Sequence, residues 1–151
     1  MIKIICMGKI KEKFFKEAID EYLKRLSKYS KVEIIELPDI SIGNKEIILQ
    51  KEKELIMSKI NERDYIVTLE IEGKEFNSIE LSKKINEILI INSNITFIIG
   101  SSYGLHDEIK ERSNLKLSFS KLTFPHQLFR IMLLEQIYRS YKILNNETYH
   151  K

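Results

Sequence analysis

The strongest constraint in this sequence is a regular change of hydrophobic period along the chain. Short apolar runs rich in β-branched residues, typical of buried strands, alternate with longer segments whose apolar residues recur every three or four positions, as on one face of a helix. The strand-like runs are residues 2–7, 32–37, 65–71, 95–99 and 115–119. This alternation predicts a single α/β domain over residues 1–151, with a mainly parallel sheet and helices on both of its faces.

The segments between those runs carry helix start signals. We expect helices at about residues 11–29, 44–60, 78–92, 107–112 and 125–144. Asn44 and Ser78 are candidate N-caps, and Asp107 and Glu108 favour the dipole of the short fourth helix. Pro125 suits a first helical position, because its missing N–H costs nothing there.

The last of these helices is unusually apolar. Its first half has almost no polar face, because it contains Leu128, Phe129, Ile131, Met132, Leu133 and Leu134. A helix of this kind is covered on two sides. A second copy of the chain is the simplest second cover, which predicts a closed homodimer; the alternative is a central core helix.

The charges are unevenly distributed, although the net charge is only +3. Residues 1–31 sum to +5 and residues 121–151 to +3, whereas residues 32–120 sum to −5. If the two ends meet, within one chain or across a dimer, they form a basic face of the kind that attracts a phosphate backbone. The alternative is a set of ordinary solvated helix faces.

Several functional classes are disfavoured. The one cysteine, Cys6, lies in an apolar run, so a buried, inert thiol is expected and no intrachain disulfide is possible.

Motifs of common enzyme classes are also missing. The chain has no G-x-G-x-x-G, G-x-x-x-x-G-K-[ST] or G-x-S-x-G motif. Its three histidines, His106, His126 and His150, are too far apart for a local metal motif, so we expect no metal. No run approaches the roughly 18 apolar residues of a membrane span, and the N-terminus lacks the features of a secretory signal, so a cytoplasmic protein is expected.

Three loops remain as candidate ligand sites, at residues 69–73, 100–104 and 119–124. Each follows a predicted strand, and open α/β sheets hold ligands at the carboxyl ends of their strands. All three loops are small, polar or glycine-bearing, which suits a ligand held by backbone groups.

Three motifs in these regions carry a family resemblance. They are Ile98-Ile99-Gly100-Ser-Ser-Tyr-Gly104-Leu105, then Leu117-Ser-Phe-Ser-Lys-Leu-Thr-Phe-Pro-His126-Gln, then Leu134-Glu-Gln-Ile-Tyr-Arg139 with the terminal Tyr149-His150-Lys151. Together they closely resemble the ribosomal RNA large-subunit methyltransferase H family of the SPOUT, or α/β-knot, superfamily. Many members have Gly-Gly after the fourth strand, whereas this chain has Gly100-Ser101.

The resemblance implies a trefoil-knotted C-terminal region, an obligate homodimer and S-adenosylmethionine as methyl donor. It also implies the activity: methylation of N3 of a pseudouridine in 23S ribosomal RNA, carried out on assembled ribosomes. Three alternatives stay open. One is a knotted methyltransferase acting on another RNA, at a transfer RNA or a ribose hydroxyl. The second is a non-catalytic ribosome-binding protein with the same fold, and the third is a small-molecule enzyme that uses the same pocket.

The resemblance also assigns residues. The implied donor-binding residues are Leu69, Gly100, Phe119, Ser120, Lys121, Leu122, Thr123 and Phe124. His150 is the first candidate for removing the imide proton, since histidine titrates near neutral pH, and Tyr149 is a candidate for stacking on or orienting the base.

The last helix also carries candidate RNA contacts. Arg130, Arg139 and Lys142 are candidates for phosphate binding, although Arg139 can instead pair with Glu135 four residues earlier. His126 follows the helix-starting proline and is interpreted as a hydrogen-bonding residue at the helix terminus.

Overall fold

The structure, a computed structural model, describes residues 1–151 and has the alternation expected from the sequence. The strands are β1 Ile2–Met7, β2 Val32–Leu37, β3 Tyr65–Glu75, β4 Ile95–Ile99 and β5 Leu115–Ser118. The helices are α1 Lys13–Leu26, α2 Lys45–Met57, α3 Ser78–Ile91, α4 Asp107–Arg112 and α5 His126–Leu144. The predicted order of strands and helices is confirmed.

The five strands form one sheet in the order β2-β1-β4-β3-β5. Each pair of neighbours is parallel, so the mainly parallel sheet of the prediction is parallel throughout. The central strands β1 and β4 are rich in Ile and buried along their whole length, as parallel strands covered on both faces require. All five carboxyl ends therefore lie at the same edge of the sheet.

Helices cover both faces of the sheet, as predicted. α1, α3 and α5 pack on the face that receives Ile2, Ile4 and Cys6 of β1, whereas α2 and α4 pack on the face that receives Ile5 and Met7. This division follows from the two-residue side-chain period of a strand. Cys6 is fully buried, and its burial raises the pKa of the thiol to about 12, so the expected inert thiol is confirmed.

Two helix starts differ from the prediction by one residue. The N-cap of α3 is Asn77, not Ser78: the Asn77 side chain accepts a hydrogen bond from the Glu80 backbone N–H, and the Glu80 carboxylate accepts one from the Asn77 N–H. This reciprocal capping box satisfies two N–H groups at once, while the Ser78 hydroxyl donates to Gln136. Pro125 stands at the cap of α5 and not at its first helical position. The predicted cap Asn44 is confirmed, since it accepts from the Ile47 N–H.

α5 lies between α1 and α3 on one face of the sheet. Leu133, Leu134 and Ile137 are fully buried there, whereas Leu128 on the other side stays 38% exposed. The contact between α1 and α5 also brings the two basic ends of the chain together, and Tyr29 stacks on Tyr141 with ring centroids 5.4 Å apart. The predicted meeting of the two ends occurs within one chain.

A buried ion pair ties the amino edge of the sheet together. The Lys3 ammonium on β1 lies 3.3 Å from the Asp64 carboxylate, just before β3, and both residues are buried. The same carboxylate accepts hydrogen bonds from the Thr96 hydroxyl and the Asn61 backbone N–H. Burial raises the pKa of Asp64, but these hydrogen bonds and Lys3 outweigh it, so that the pKa lies below its usual range.

We expect Lys3→Met to lower the free energy of unfolding by about 3–5 kcal/mol at pH 7, because it leaves the Asp64 charge buried without its cation. When folding lowers the pKa of a carboxyl, that carboxyl stabilises the folded protein at any pH above the pKa it has in the unfolded chain, about 3.9 for Asp. This contribution to stability disappears as the pH falls. The deficit of the variant should therefore shrink below about pH 4. Urea unfolding at pH 7 and pH 3 measures it, with the exposed Lys16→Met as the matched control; a deficit that does not depend on pH would contradict this account.

Candidate functional site

A cavity of about 420 Å³ lies at the carboxyl edge of the sheet. Residues 69–72 within β3 and the loops after β4 and β5 line it, and β4, β3 and β5 are consecutive neighbours in the sheet. We call it the strand-end cavity. Its lining from these loops is Leu69, Glu70, Ile71, Glu72, Gly100, Ser101, Ser102, Gly104, Phe119, Ser120, Leu122, Thr123 and Phe124. The three loops expected to carry a ligand are thus brought together.

The loop after β4 is a tight turn, which we call the 100–104 turn. The Gly104 N–H donates to the Ser101 carbonyl at 2.9 Å, and the two residues form an isolated antiparallel bridge. A Cβ on Gly100 would overlap the Gly104 carbonyl, so position 100 has no room for a side chain. The glycine allows the backbone to fold back on itself and to face the cavity directly.

The loop after residue 69 is an interruption within a strand and not the end of one. Leu69 and Lys74 both pair with Leu117 of β5, so residues 70–73 leave the ladder and the strand resumes beyond them. The predicted end of this strand at residue 71 is therefore corrected. Gly73 is required because a Cβ there would lie 2.7 Å from the Lys116 backbone. The excursion turns Glu70, Ile71 and Glu72 toward the cavity.

The loop after β5 is shaped by its own serines and by α5. The Ser118 hydroxyl donates to the Ser120 carbonyl, and the Ser120 hydroxyl accepts from the Leu122 N–H. Phe119 and Phe124 both pack on Phe129 of α5, with ring centroids 4.8 Å and 6.1 Å apart. These contacts leave Leu122 69% exposed at the mouth of the cavity.

Seven of the eight residues assigned to the donor line the strand-end cavity. The exception is Lys121, which is exposed and not part of the lining. Sequence reasoning did not single out Glu70, although its position directly after a buried run was a usable signal. Glu70 accepts a hydrogen bond from the Thr68 hydroxyl at 2.6 Å and lies 3.9 Å from the Lys110 ammonium.

A second concavity, of about 700 Å³, adjoins the first. It shares Leu117, Ser118, Phe119 and Phe124 with the strand-end cavity and continues between the start of α3 and the side of α5. Glu135 and Gln136 line it from α5, and His150 lines it from the C-terminal residues. We call it the tail groove. Two adjoining concavities, one lined by loops and one by helices, can hold two reactants next to each other.

The C-terminal residues are bound to α5 of their own chain. The Tyr149 hydroxyl donates to Glu135 at 2.9 Å, and the Arg139 guanidinium lies over the Tyr149 ring at 4.6 Å. Burial and the hydrogen bond to Glu135 both raise the pKa of Tyr149. Arg139 also approaches His150 Nδ1 at 3.1 Å. Because arginine only donates, Nδ1 accepts, and the proton of the neutral ring lies on Nε2.

The predicted phosphate contact of Arg130 is wrong. Its side chain is 1% exposed, its guanidinium lies 2.6 Å from the Glu36 carboxylate on β2, and it also donates to the Gly8 carbonyl. A phosphate outside the protein has no access to it. Arg130 instead holds the end of β1 and β2 against α5.

The other two predicted RNA contacts are also engaged within the chain. Arg139 makes two hydrogen bonds to Glu135, at 2.7 Å and 3.3 Å, which is the alternative that the four-residue spacing suggested. The Lys142 ammonium lies 2.8 Å from Glu147, whose pKa Lys142 and the Tyr29 hydroxyl lower to about 2. Phosphate binding by Arg139 and Lys142 stays a prediction.

No group of three or more His, Cys, Asp or Glu side chains is arranged to hold a metal ion. No helix has the length and apolar character to cross a membrane. His126, expected to act at a helix terminus, is the first residue of α5 and lines the strand-end cavity.

Comparisons with known proteins find similarity over nearly the whole length of this chain. A family model described as "Predicted SPOUT methyltransferase" matches residues 1–150. The chain is 52% identical to the ribosomal RNA large subunit methyltransferase H of Clostridium perfringens and 51% identical to that of Streptococcus suis. In both cases the similarity covers 99% of this chain and 99% of the relative.

Two solved structures share the fold at low sequence identity. A probable methylase family protein from Haemophilus influenzae has a TM-score of 0.58 at 11% identity, covering 99% of this chain and 70% of that one. The tRNA (m1G37) methyltransferase of Aquifex aeolicus has a TM-score of 0.51 at 16% identity, covering 91% and 69%. At these identities the likeness concerns the arrangement of strands and helices.

The 100–104 turn yields a test of why glycine is needed. Gly100→Ala should lower the free energy of unfolding by about 1–3 kcal/mol, because the added Cβ meets backbone that has to move. Gly104→Ala is the matched comparison: it has open space around the Cβ but a positive φ of 80°, and should cost about 1–2 kcal/mol. Only Gly100→Ala should also shift the amide signals of residues 70–73 and of the loop after β5, as measured by NMR. Unchanged signals in that variant would contradict the assigned crowding.

Proposed function

This chain belongs to the SPOUT methyltransferase family, and on that premise we propose that it methylates N3 of a pseudouridine in 23S ribosomal RNA, using S-adenosylmethionine, on assembled ribosomes. The observation that carries the proposal is the full-length similarity to ribosomal RNA large subunit methyltransferases H, together with a strand-end cavity that adjoins a groove containing His150. We further propose that it works in the cytoplasm, where its substrate is.

The residues of the strand-end cavity fit this donor. Phe119 and Leu122 offer apolar contact for an adenine, and the crowded Gly100 exposes backbone donors and acceptors for its polar edge. Glu70 and Glu72 supply carboxylates suited to hydroxyl or ammonium groups. The volume of about 420 Å³ is in the range of pockets for small molecules. When bound, the donor supplies a sulfonium methyl that is already activated toward a nucleophile.

We assign the tail groove to the acceptor base. The remaining chemical task is to hold the base in line and to take up the proton that N3 loses. Tyr149 and His150 are the residues proposed for it. In the neutral His150 ring the basic nitrogen is Nδ1, and it accepts a hydrogen bond from Arg139. His150 can therefore take up a proton only after Arg139 has moved away from Nδ1. Until then the ring offers Nε2–H, a donor suited to a carbonyl oxygen of the base.

We propose that the protein acts as a homodimer with a trefoil-knotted C-terminal region. The partly exposed Leu128, on the side of α5 that faces away from the sheet, supports a second cover for this helix. The modest net charge of +3 supports recognition of the assembled ribosome, since little free positive charge is available for naked RNA. Arg130 is not among the proposed RNA contacts.

The first measurement is transfer of labelled methyl from S-adenosylmethionine to whole ribosomes that lack the modification. We expect the label on N3 of a pseudouridine in 23S RNA, identified by mass spectrometry of the nucleosides. Naked 23S RNA should be methylated far more slowly. Label on a transfer RNA or on a ribose hydroxyl would overturn the substrate, and equal rates on naked RNA would overturn the requirement for the ribosome.

Deleting residues 149–151 should abolish methyl transfer, by at least about a hundredfold if the lost group is the general base. The affinity for S-adenosylmethionine should change less than about twofold, because these residues do not line the strand-end cavity. Calorimetry measures the affinity and thermal unfolding verifies the fold. Full activity in the truncated protein would remove Tyr149 and His150 from the site.

A further inference from the structure

A buried carboxylate lies directly behind the strand-end cavity. Glu52 is on α2, and its side chain accepts a hydrogen bond from the Ser101 hydroxyl at 3.0 Å. Glu52 is 3% exposed and does not line the cavity, whereas Ser101 does. The carboxylate can therefore act on a bound molecule only through the 100–104 turn.

The position of Glu52 calls for an explanation, because an apolar residue would suit it better. Ile48, Glu52 and Ile56 are spaced by four residues, form the buried stripe of α2, and are 4%, 3% and 1% exposed. An aliphatic residue at the middle position would continue this stripe. Burial raises the pKa of Glu52, and the hydrogen bond from Ser101 opposes that rise. A buried carboxylate is tolerated only where a hydrogen bond compensates its lost hydration, and here that donor belongs to the candidate site.

The Ser101 hydroxyl connects the inside of the turn to the helix behind it. It accepts the Tyr103 N–H at 3.3 Å and gives its single proton to Glu52, while the Ser101 carbonyl accepts the Gly104 N–H. A hydrogen-bond chain of this kind is strengthened by its charged end. α2 is itself held to α4 by the Lys53–Glu108 ion pair at 3.1 Å, so the anchor is a fixed element.

We propose that Glu52 is a positioning residue for the methyl donor: by holding the Ser101 hydroxyl, it keeps the 100–104 turn in the shape that lines the strand-end cavity. This inference rests on the proposed function, because it assigns the donor to that cavity. It predicts that a change at Glu52 affects donor affinity and transfer rate differently. Donor affinity depends on Glu52, whereas the rate of transfer at saturating donor does not, since Glu52 touches neither reactant.

The test is calorimetric titration of the full chain with S-adenosylmethionine. Glu52→Leu should weaken donor binding about tenfold, the effect of losing one hydrogen bond to a charged group. It completes the apolar stripe, so its thermal stability should be equal to or above that of the wild type. Ser101→Ala should weaken binding to a similar extent, and the double variant no more than either single one. Glu52→Gln keeps an acceptor oxygen and should bind within about twofold of the wild type.

Glu54→Leu is the matched control, because it makes the same change at an exposed position of the same helix and should leave donor affinity unchanged. Rates of methyl transfer at saturating donor should agree within about twofold for Glu52→Leu and the wild type. The inference would be overturned if Glu52→Leu bound S-adenosylmethionine as tightly as the wild type. It would also be overturned if the fold-loss of affinity in the double variant were the product of the two single fold-losses. Failure of the wild-type protein to bind the donor would instead overturn the proposed function, so the two failures are distinguishable.

Discussion

The candidate site depends on the common direction of the five strands. Because every neighbouring pair is parallel, all carboxyl ends lie at one edge, and the order β4-β3-β5 brings the loops after β4 and β5 beside the 70–73 interruption of β3. The cavity is therefore located by backbone pairing, and the side chains of the loops then determine what it can hold. α5 also shapes the site, because its Phe129 packs against Phe119 and Phe124 and the helix forms one wall of the tail groove.

Local patterns in the sequence predicted much of this arrangement. The two hydrophobic periods predicted the five strands and the four longer helices, and the positions of the loops predicted where the cavity would form. What they did not predict depends on distant contacts. The predicted 69–73 loop includes Gly73, but the constraint on this residue is the close backbone of Lys116. The partner of Arg130 is Glu36, 94 residues away in the chain, and no local spacing reveals such a pair. The N-cap of α3 is a different case, because the Asn77 and Glu80 pattern of a capping box is local in the sequence.

The basic residues of α5 show why formal charge is a poor measure of available charge. Arg130, Arg139 and Lys142 each lie within 2.8 Å of a carboxylate of the same chain. Their positive charge is largely used to hold β2, the C-terminal residues and the end of α5 in place. A polyanion approaching this face meets paired groups whose attraction is already partly cancelled.

The interruption of β3 has a consequence for how this fold can diverge. β3 pairs with β5 both before and after residues 70–73, so the excursion is closed at each end by the ladder. Substitutions at Glu70, Ile71 and Glu72 change the cavity wall without touching that pairing. An inserted residue, in contrast, either lengthens the excursion and moves the cavity wall, or slips Lys74 and Glu75 by one position and turns their side chains to the opposite face. Lineages carrying this architecture should therefore vary the chemistry of this segment while conserving its length.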